Sequence, residues 1–267
     1  MTGDVRVLAS GGCHIFSGCG FPAPGLQDFN WKPFFTIGSF GFTKPMLLAI
    51  ISALVVIAFF WAAFRKPKLV PRGVQNLGEL AILAVRDQIL RPTLGRKGDA
   101  YLPYITSLFF FILFCNLMEL IPVFQFPAMS RIGFVWPLVL IMYVQYWYIG
   151  FKTKGFLGYF RSWIPEAPLA IMPLLILIEV AKYVIIQPAT LAIRLFANMF
   201  AGHLLLVIFI VATWYLASFT IGLLFAVGSA AMVLFVFVLE LLIDLLQAFI
   251  FTTLTATYIA SALEAQH

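Results

Sequence analysis

Charge is scarce in this sequence. Asp, Glu, Lys and Arg make up 10% of its 267 residues, where soluble domains carry roughly 25%. So little charge excludes intrinsic disorder and a nucleic-acid-binding surface, and the modest Gly and Pro content excludes a collagen-like chain. Motif absences narrow the chemistry further. No HExxH or CxxC pattern occurs, and one His among apolar helices is a thin ligand set for zinc. No GxSxG turn supplies a nucleophile for a membrane hydrolase. No internal repeat suggests the inverted halves of a self-contained secondary transporter, the alternative reading. Residues 1–43 lack an apolar run behind basic residues, so no cleavable signal is expected there. What is abundant is apolar: 63% hydrophobic residues, 29 of them Phe, with a mean hydropathy of +1.02. No single core could bury that much apolar surface in water. The chain reads as an all-α polytopic membrane protein, and its net charge of +6 as a matter of membrane orientation.

A spanning helix needs about 20 mostly apolar residues. Five stretches qualify, at about 46–64, 104–121, 133–150, 173–211 and 221–262. They divide the chain into an external N-terminal segment, 1–45, and a single membrane domain, 46–267. Basic residues orient it. Eight lie in 65–103, among them Arg65, Lys66, Lys68 and Arg72, and three more are Lys152, Lys154 and Arg161. These loops are therefore expected on the cytoplasmic side, with the N-terminus outside and the C-terminus inside. Between them, 73–90 carries Leu77, Leu80, Ala81, Ala84 and Val85 at helical spacing, which suggests a helix lying on the inner surface. A solvated loop helix is the plainer alternative. Cys13 and Cys19 flank His14 in the external segment, where an oxidising face allows a disulfide and free thiols are the other option.

The last two stretches are too long for ordinary spans. At 1.5 Å per residue, 173–211 measures about 58 Å, against roughly 30 Å of hydrocarbon. It must tilt strongly or bend, and Pro188 offers a bend. Both stretches also carry polar groups that are expensive in lipid, at roughly 2.5–3.5 kcal/mol each on insertion scales. Glu179 and Lys182 stand three residues apart and could simply pair. Arg194 has about 20 apolar positions on either side, the placement expected of an ion pathway. His203, at 100° per residue, points to the opposite side of that helix, and Asn198 points nearly with the arginine. Glu240, Asp244 and Gln247 form one polar stripe on the last helix. Folding the two helices into an antiparallel hairpin about residue 221 brings His203 level with Glu240, Asn198 with Asp244, and Arg194 with Gln247. An imidazole among buried carboxyls suits proton relay. Asn116 and Glu119, at the end of the second span, add polar lining or mark where that helix meets the interface.

The run from Gln187 to His203, with Arg194-Leu195-Phe196-Ala197-Asn198 at its centre, closely resembles the signature of the a subunit of F-type ATP synthases. Gln247-Ala248-Phe249-Ile250-Phe251 and Asn116-Leu117-Met118-Glu119-Leu120-Ile121-Pro122 are similar to two further segments of that family, and 126–134 looks most like its bacterial members. The resemblance implies a stator proton-channel subunit, with two long tilted helices lying against a ring of c subunits and two offset half-channels. It implies a c-subunit ring, a b-subunit peripheral stalk and, through them, the F1 ATPase head as partners, besides membrane lipid. No nucleic acid, cofactor, metal or catalytic site on this chain is implied. Arg194 matches the arginine that faces the ring carboxylate and separates the half-channels. His203 and Glu240 fall on two inlet positions that some members fill the other way round, and Glu179 lies one residue farther from the arginine than the acid of many members. A bacterial cell membrane is the expected location, with the mitochondrial inner membrane as the alternative.

Overall fold

The computed structural model describes residue 21 and residues 35–37, 40–121, 128–161, 171–217 and 222–263. Cys13 and Cys19 lie outside the described residues, so their pairing does too. Ahead of the first helix, β1 (Phe35–Ile37) pairs antiparallel with β2 (Phe40–Phe42), Phe35 opposite Phe42. Aromatic and β-branched residues favour such strands. All other regular structure among the described residues is helical, as the composition requires.

Helices form where apolar runs leave the backbone no solvent partner, because only intra-helical bonds then satisfy its N–H and C=O groups. α1 is Lys44–Phe64, about 31 Å long, enough to cross the hydrocarbon once. α2 is Val74–Val85, entered through Gly73 at φ 61°, a conformation that L side chains avoid. A π segment (Arg86–Leu90), α3 (Arg91–Leu94) and a 3-10 turn (Gly95–Tyr101) lead into α4 (Leu102–Leu117). α5 is Ile132–Lys154 and α6 is Phe156–Arg161. α7 (Met172–Ala181) passes through a second π segment (Lys182–Ile186) into α8 (Gln187–Leu216), and α9 is Gly222–Leu263. Among the described residues, five helical runs are long and apolar enough to cross a membrane: Lys44–Phe64, Val74–Leu117, Ile132–Lys154, Met172–Leu216 and Gly222–Leu263. The second begins at Val74 rather than near 104, since the expected surface helix is continuous with the span that follows it.

Proline explains both π segments. Pro92 and Pro188 lack an N–H and crowd the carbonyl four residues earlier, those of Gln88 and Val184. Each of these carbonyls lies inside a five-residue π segment. The wider turn accommodates the missing bond, so Pro188 is absorbed by a π turn within one helical run, Met172–Leu216.

The described residues form two compact units, and four helices contribute to both. The first unit comprises residues 1–51, 115–130 and 197–245. Here α8 and α9 run side by side as an antiparallel pair: Ser229 Oγ donates to the Phe209 carbonyl at 3.0 Å, and Glu240 lies against Gly202. The second unit comprises 52–114, 131–196 and 246–267. Its apolar core joins Val85, Ile89 and Leu90 to Ile105 of α4 and to Ala256 and Ile259 of α9. A tyrosine cluster, Tyr143, Tyr146, Tyr159 and Tyr258, packs at ring separations near 6.0 Å. Many large apolar side chains are exposed, with Leu224 74% exposed and Leu177 67% exposed, as expected of helices that face lipid.

Gly150 shows how closely the second unit packs. A Cβ built there falls on the Tyr159 ring, which is buried and closes α6 onto α5. Gly150→Ala is therefore expected to destabilise the chain by about 1–3 kcal/mol through overpacking. Thermal unfolding in detergent checks it, and an unchanged midpoint would show that Tyr159 yields freely.

Candidate functional site

Several buried polar side chains of the first unit gather in one place. α4 ends at Leu117, and the chain closes in tight turns through Glu119 N–H to Asn116 O at 3.0 Å and Leu120 N–H to Leu117 O at 3.1 Å. Glu119 therefore sits in a turn, not on the helix, with its side chain 1% exposed. Its Oε1 meets Nδ1 of His203 at 2.9 Å. Glu240, also buried, stands next to Glu119 and within electrostatic reach of His203. One turn along α9, Asp244 is fully buried, and the Asn116 amide donates to its backbone carbonyl at 3.5 Å. An imidazole, three carboxyls and an amide thus occupy one apolar setting.

Asn116 and Glu119 are both buried beside this cluster. The arrangement also changes the partner of His203. The hairpin register brings Glu240 to its level, but the contact to Nδ1 is made by Glu119, 84 positions away in sequence. No sequence period could have signalled that. Gly202 was passed over as well: the Glu240 carboxyl fills the space where any Cβ on residue 202 would stand. A side chain at 202 would push the end of the Glu240 side chain aside.

Chemically, the cluster holds more proton-binding groups than it has internal donors. Among the described residues, no protein group donates to Glu119 Oε2, to either oxygen of Glu240, or to either side-chain oxygen of Asp244. Buried acceptors seek hydrogen-bond partners, and a neutral imidazole can both give and accept a proton near neutral pH. Among the described residues, no group of three His, Cys, Asp or Glu side chains is arranged to bind a metal ion.

Asn198 is exposed, on the outer side of α8 within the first unit. The amide that reaches Asp244 is that of Asn116.

In the second unit, Thr190, Ile193 and Arg194 form an exposed strip on α8, while Leu191, Ala192 and Leu195 are buried. A permanent cation thus stands on an apolar surface. Tyr258 lies within its electrostatic reach. The Tyr143 hydroxyl, in ring contact with Tyr258, donates to Gln187 Oε1 at 3.5 Å. Gln247 is buried at 2% exposure, and the neighbouring outward positions on α9, Leu246, Phe249 and Ile250, are apolar. Glu179 takes Lys182 Nζ at 2.8 and 3.0 Å. That ion pair satisfies both charges locally, the simpler of the two roles open to Glu179.

Comparison with known proteins meets this geometry. The profile of the ATP synthase A chain family matches residues 46–260. The chain is 43% identical to the ATP synthase subunit a of Streptomyces lividans over 260 residues, 96% of this chain and 92% of that protein. It is 43% identical to that of Frankia alni over 251 residues, 91% of this chain and 86% of the relative. The subunit a of Rhodococcus erythropolis is 42% identical over 253 residues, 92% and 91% of the two chains. These relatives are named as subunits of a synthase, which removes support from the self-contained transporter reading. On the profile match and the near-full-length identity, the chain belongs to the ATP synthase A chain family, whose members are the membrane-embedded a subunits of the Fo sector.

Proposed function

We propose that the buried cluster of Glu119, His203, Glu240 and Asp244 is the inlet half-channel of the proton-conducting stator, and that Arg194 separates it from the outlet. The observation that carries this reading is the His203–Glu119 contact at 2.9 Å within a group of buried acids. A proton entering from the outer face is held by the cluster and handed to a carboxylate on the c-subunit ring. Neutralised, that carboxyl can face lipid without the cost of a bare charge, and the ring turns. On the inner side the carboxyl gives up its proton. Arg194 then holds the ionised carboxylate, because guanidinium practically never deprotonates and its planar fork matches a carboxylate. Its exposed position on an apolar surface is supported by this reading, since a cation there needs an acidic partner from another chain. Each 100 mV of membrane potential contributes about 2.3 kcal/mol per proton moved. Asn198, exposed on α8, joins Arg194 in facing the ring, and Gln247 belongs with Glu240 and Asp244 to the polar stripe of α9. A b-subunit stalk holds this chain still, and the chemistry of ATP takes place on other chains of the complex. The external segment (1–45) lies outside and the loops of 65–103 lie in the bacterial cytoplasm.

Orientation is checked with an impermeant maleimide. A cysteine replacing the exposed Lys97 is expected to react in inverted vesicles and stay silent in intact cells. The reverse pattern would turn the chain over.

Coupling between His203 and Glu119 is checked by a double-mutant cycle. His203→Ala and Glu119→Ala are each expected to lower ATP-driven proton pumping in inverted vesicles, since each leaves the other buried and unpaired. The double variant is expected to lose little more than the worse single one, because a shared interaction can be removed only once. Fully additive losses would mean that the two side chains act separately.

Arg194 separates the two clefts only if its charge is permanent. Arg194→Lys is expected to abolish coupled synthesis while assembly persists, because a lysine set on an apolar, lipid-facing surface can discharge and lacks the planar fork of the guanidinium. Arg194→Ala is expected to let protons pass through membranes stripped of the ATPase head, which a pH-sensitive dye under an imposed potential detects. A proton-tight Arg194→Ala sector would refute the separator role.

A further inference from the structure

The second unit holds a basic cavity away from the acid and histidine cluster of the first. Where α1 ends and α2 begins, a cavity of about 460 Å³ is lined by Arg65, Lys66, Lys68 and Arg72, with Ala62, Ala63, Val74 and Gln75 completing its wall. Four cations face one space, and no carboxylate lines it. The cavity is built rather than incidental. Buried Gln75 accepts from the Lys68 backbone N–H at 3.0 Å and donates to the Lys68 carbonyl at 2.9 Å, which fastens the basic loop to α2. The same amide donates to Glu79 at 2.8 Å, so the nearest acid is engaged one turn along the helix. Gly78 lets α2 close onto Ala63 and Phe64 of α1, because a Cβ there would stand 2.7 Å from Ala63 Cβ. The N-terminus of α2 opens beside the cavity, capped by Gly73 with no side-chain bond, and its free N–H groups and dipole add to the positive field.

Everything around these cations is made for hydrocarbon. Leu69 is fully exposed and Val70 is 68% exposed. Trp61, 62% exposed, carries the Arg65 guanidinium 4.9 Å over its ring, the amphipathic placement typical of a membrane interface. Along α2, Val74, Leu77 and Leu80 are exposed and spread over about 120° of the helix surface, while Gln75, Gly78 and Val85 are buried. An apolar stripe beside a cationic mouth fits a ligand that is anionic at one end and apolar at the other.

We propose that this cavity binds the phosphate headgroup of an anionic phospholipid, with the acyl chains lying along Leu69, Val70 and the exposed stripe of α2. Basic pockets at the ends of spanning helices recognise such headgroups, each cation adding roughly a fivefold preference for anionic over neutral lipid. A zwitterionic headgroup brings its own ammonium into a site that already holds four cations, and is disfavoured.

Native mass spectrometry of the full chain in mild detergent tests the site, with phosphatidylglycerol and phosphatidylcholine titrated in parallel. The unaltered chain is expected to retain phosphatidylglycerol preferentially. The variant Arg65→Gln, Lys66→Gln, Lys68→Gln, Arg72→Gln is expected to lose that preference by at least about 100-fold if the four cations act together. A control with Arg91→Gln, Arg96→Gln, Lys97→Gln and Lys152→Gln removes the same charge elsewhere and is expected to retain it. Should the fourfold variant fail to insert, the doublet Lys66→Gln, Arg72→Gln is read in the same way, since both side chains are exposed. Equal losses in test and control variants would reduce the effect to general electrostatics and overturn the site. Undiminished preference in the test variant would overturn it as well. Displacement of the lipid by a large excess of inorganic phosphate would make it a site for the free ion, not for a lipid.

Discussion

A polar group buried in a hydrocarbon-facing bundle has no bulk solvent to fall back on, and the His203–Glu119 contact is this chain's answer to that constraint. A charge at membrane depth costs several kcal/mol unless something in the protein accepts it. His203 and Glu119 bring a base and an acid to 2.9 Å, and Glu240 and Asp244 extend the same setting along α9. Around this cluster the helices make room in specific ways. α4 stops short so that Glu119 can turn inward, and residue 202 has no side chain, so that Glu240 can lie against the backbone of α8.

The same constraint, met differently, distinguishes the other polar residues. Glu179 and Lys182 satisfy each other three positions apart, at little structural cost. Arg194 is exposed instead of paired inward. A permanent cation on an apolar surface is expensive in lipid, which sets this position apart from the locally paired Glu179 and Lys182. Membership of the ATP synthase A chain family supplies the context, a complex in which this chain is one membrane component.

Proline shows how local chemistry is absorbed without breaking a span. An interior Pro ordinarily costs about 3 kcal/mol in a helix because a bond is lost and a carbonyl is crowded. Here two five-residue π segments surround the carbonyls concerned. Such turns let helical runs of more than 40 residues continue past proline.

Much of this architecture is decided locally and can be read without coordinates. Apolar run length determines where helices form, since a backbone in lipid must bond within its own segment. A helical period of 3.6 places Glu240, Asp244 and Gln247 on one side of the last helix, and the observed contacts of Ser229 with Phe209 and of Glu240 with Gly202 agree with a hairpin turning near residue 221. The identity of the embedded polar residues, Arg194 above all, is likewise legible because such residues are costly and few. Only the tertiary structure decided which of them meet. That Glu119, not Glu240, takes the His203 ring nitrogen depends on a turn beyond α4 meeting a helix 84 positions later. That the space beside Gly202 is filled depends on a carboxyl arriving from α9, and the basic cavity at the end of α1 depends on Gln75 folding a loop back onto α2. Periodicity reports what faces the same way along one helix; it carries no information about which neighbour stands opposite, because that is determined by packing between segments distant in the chain.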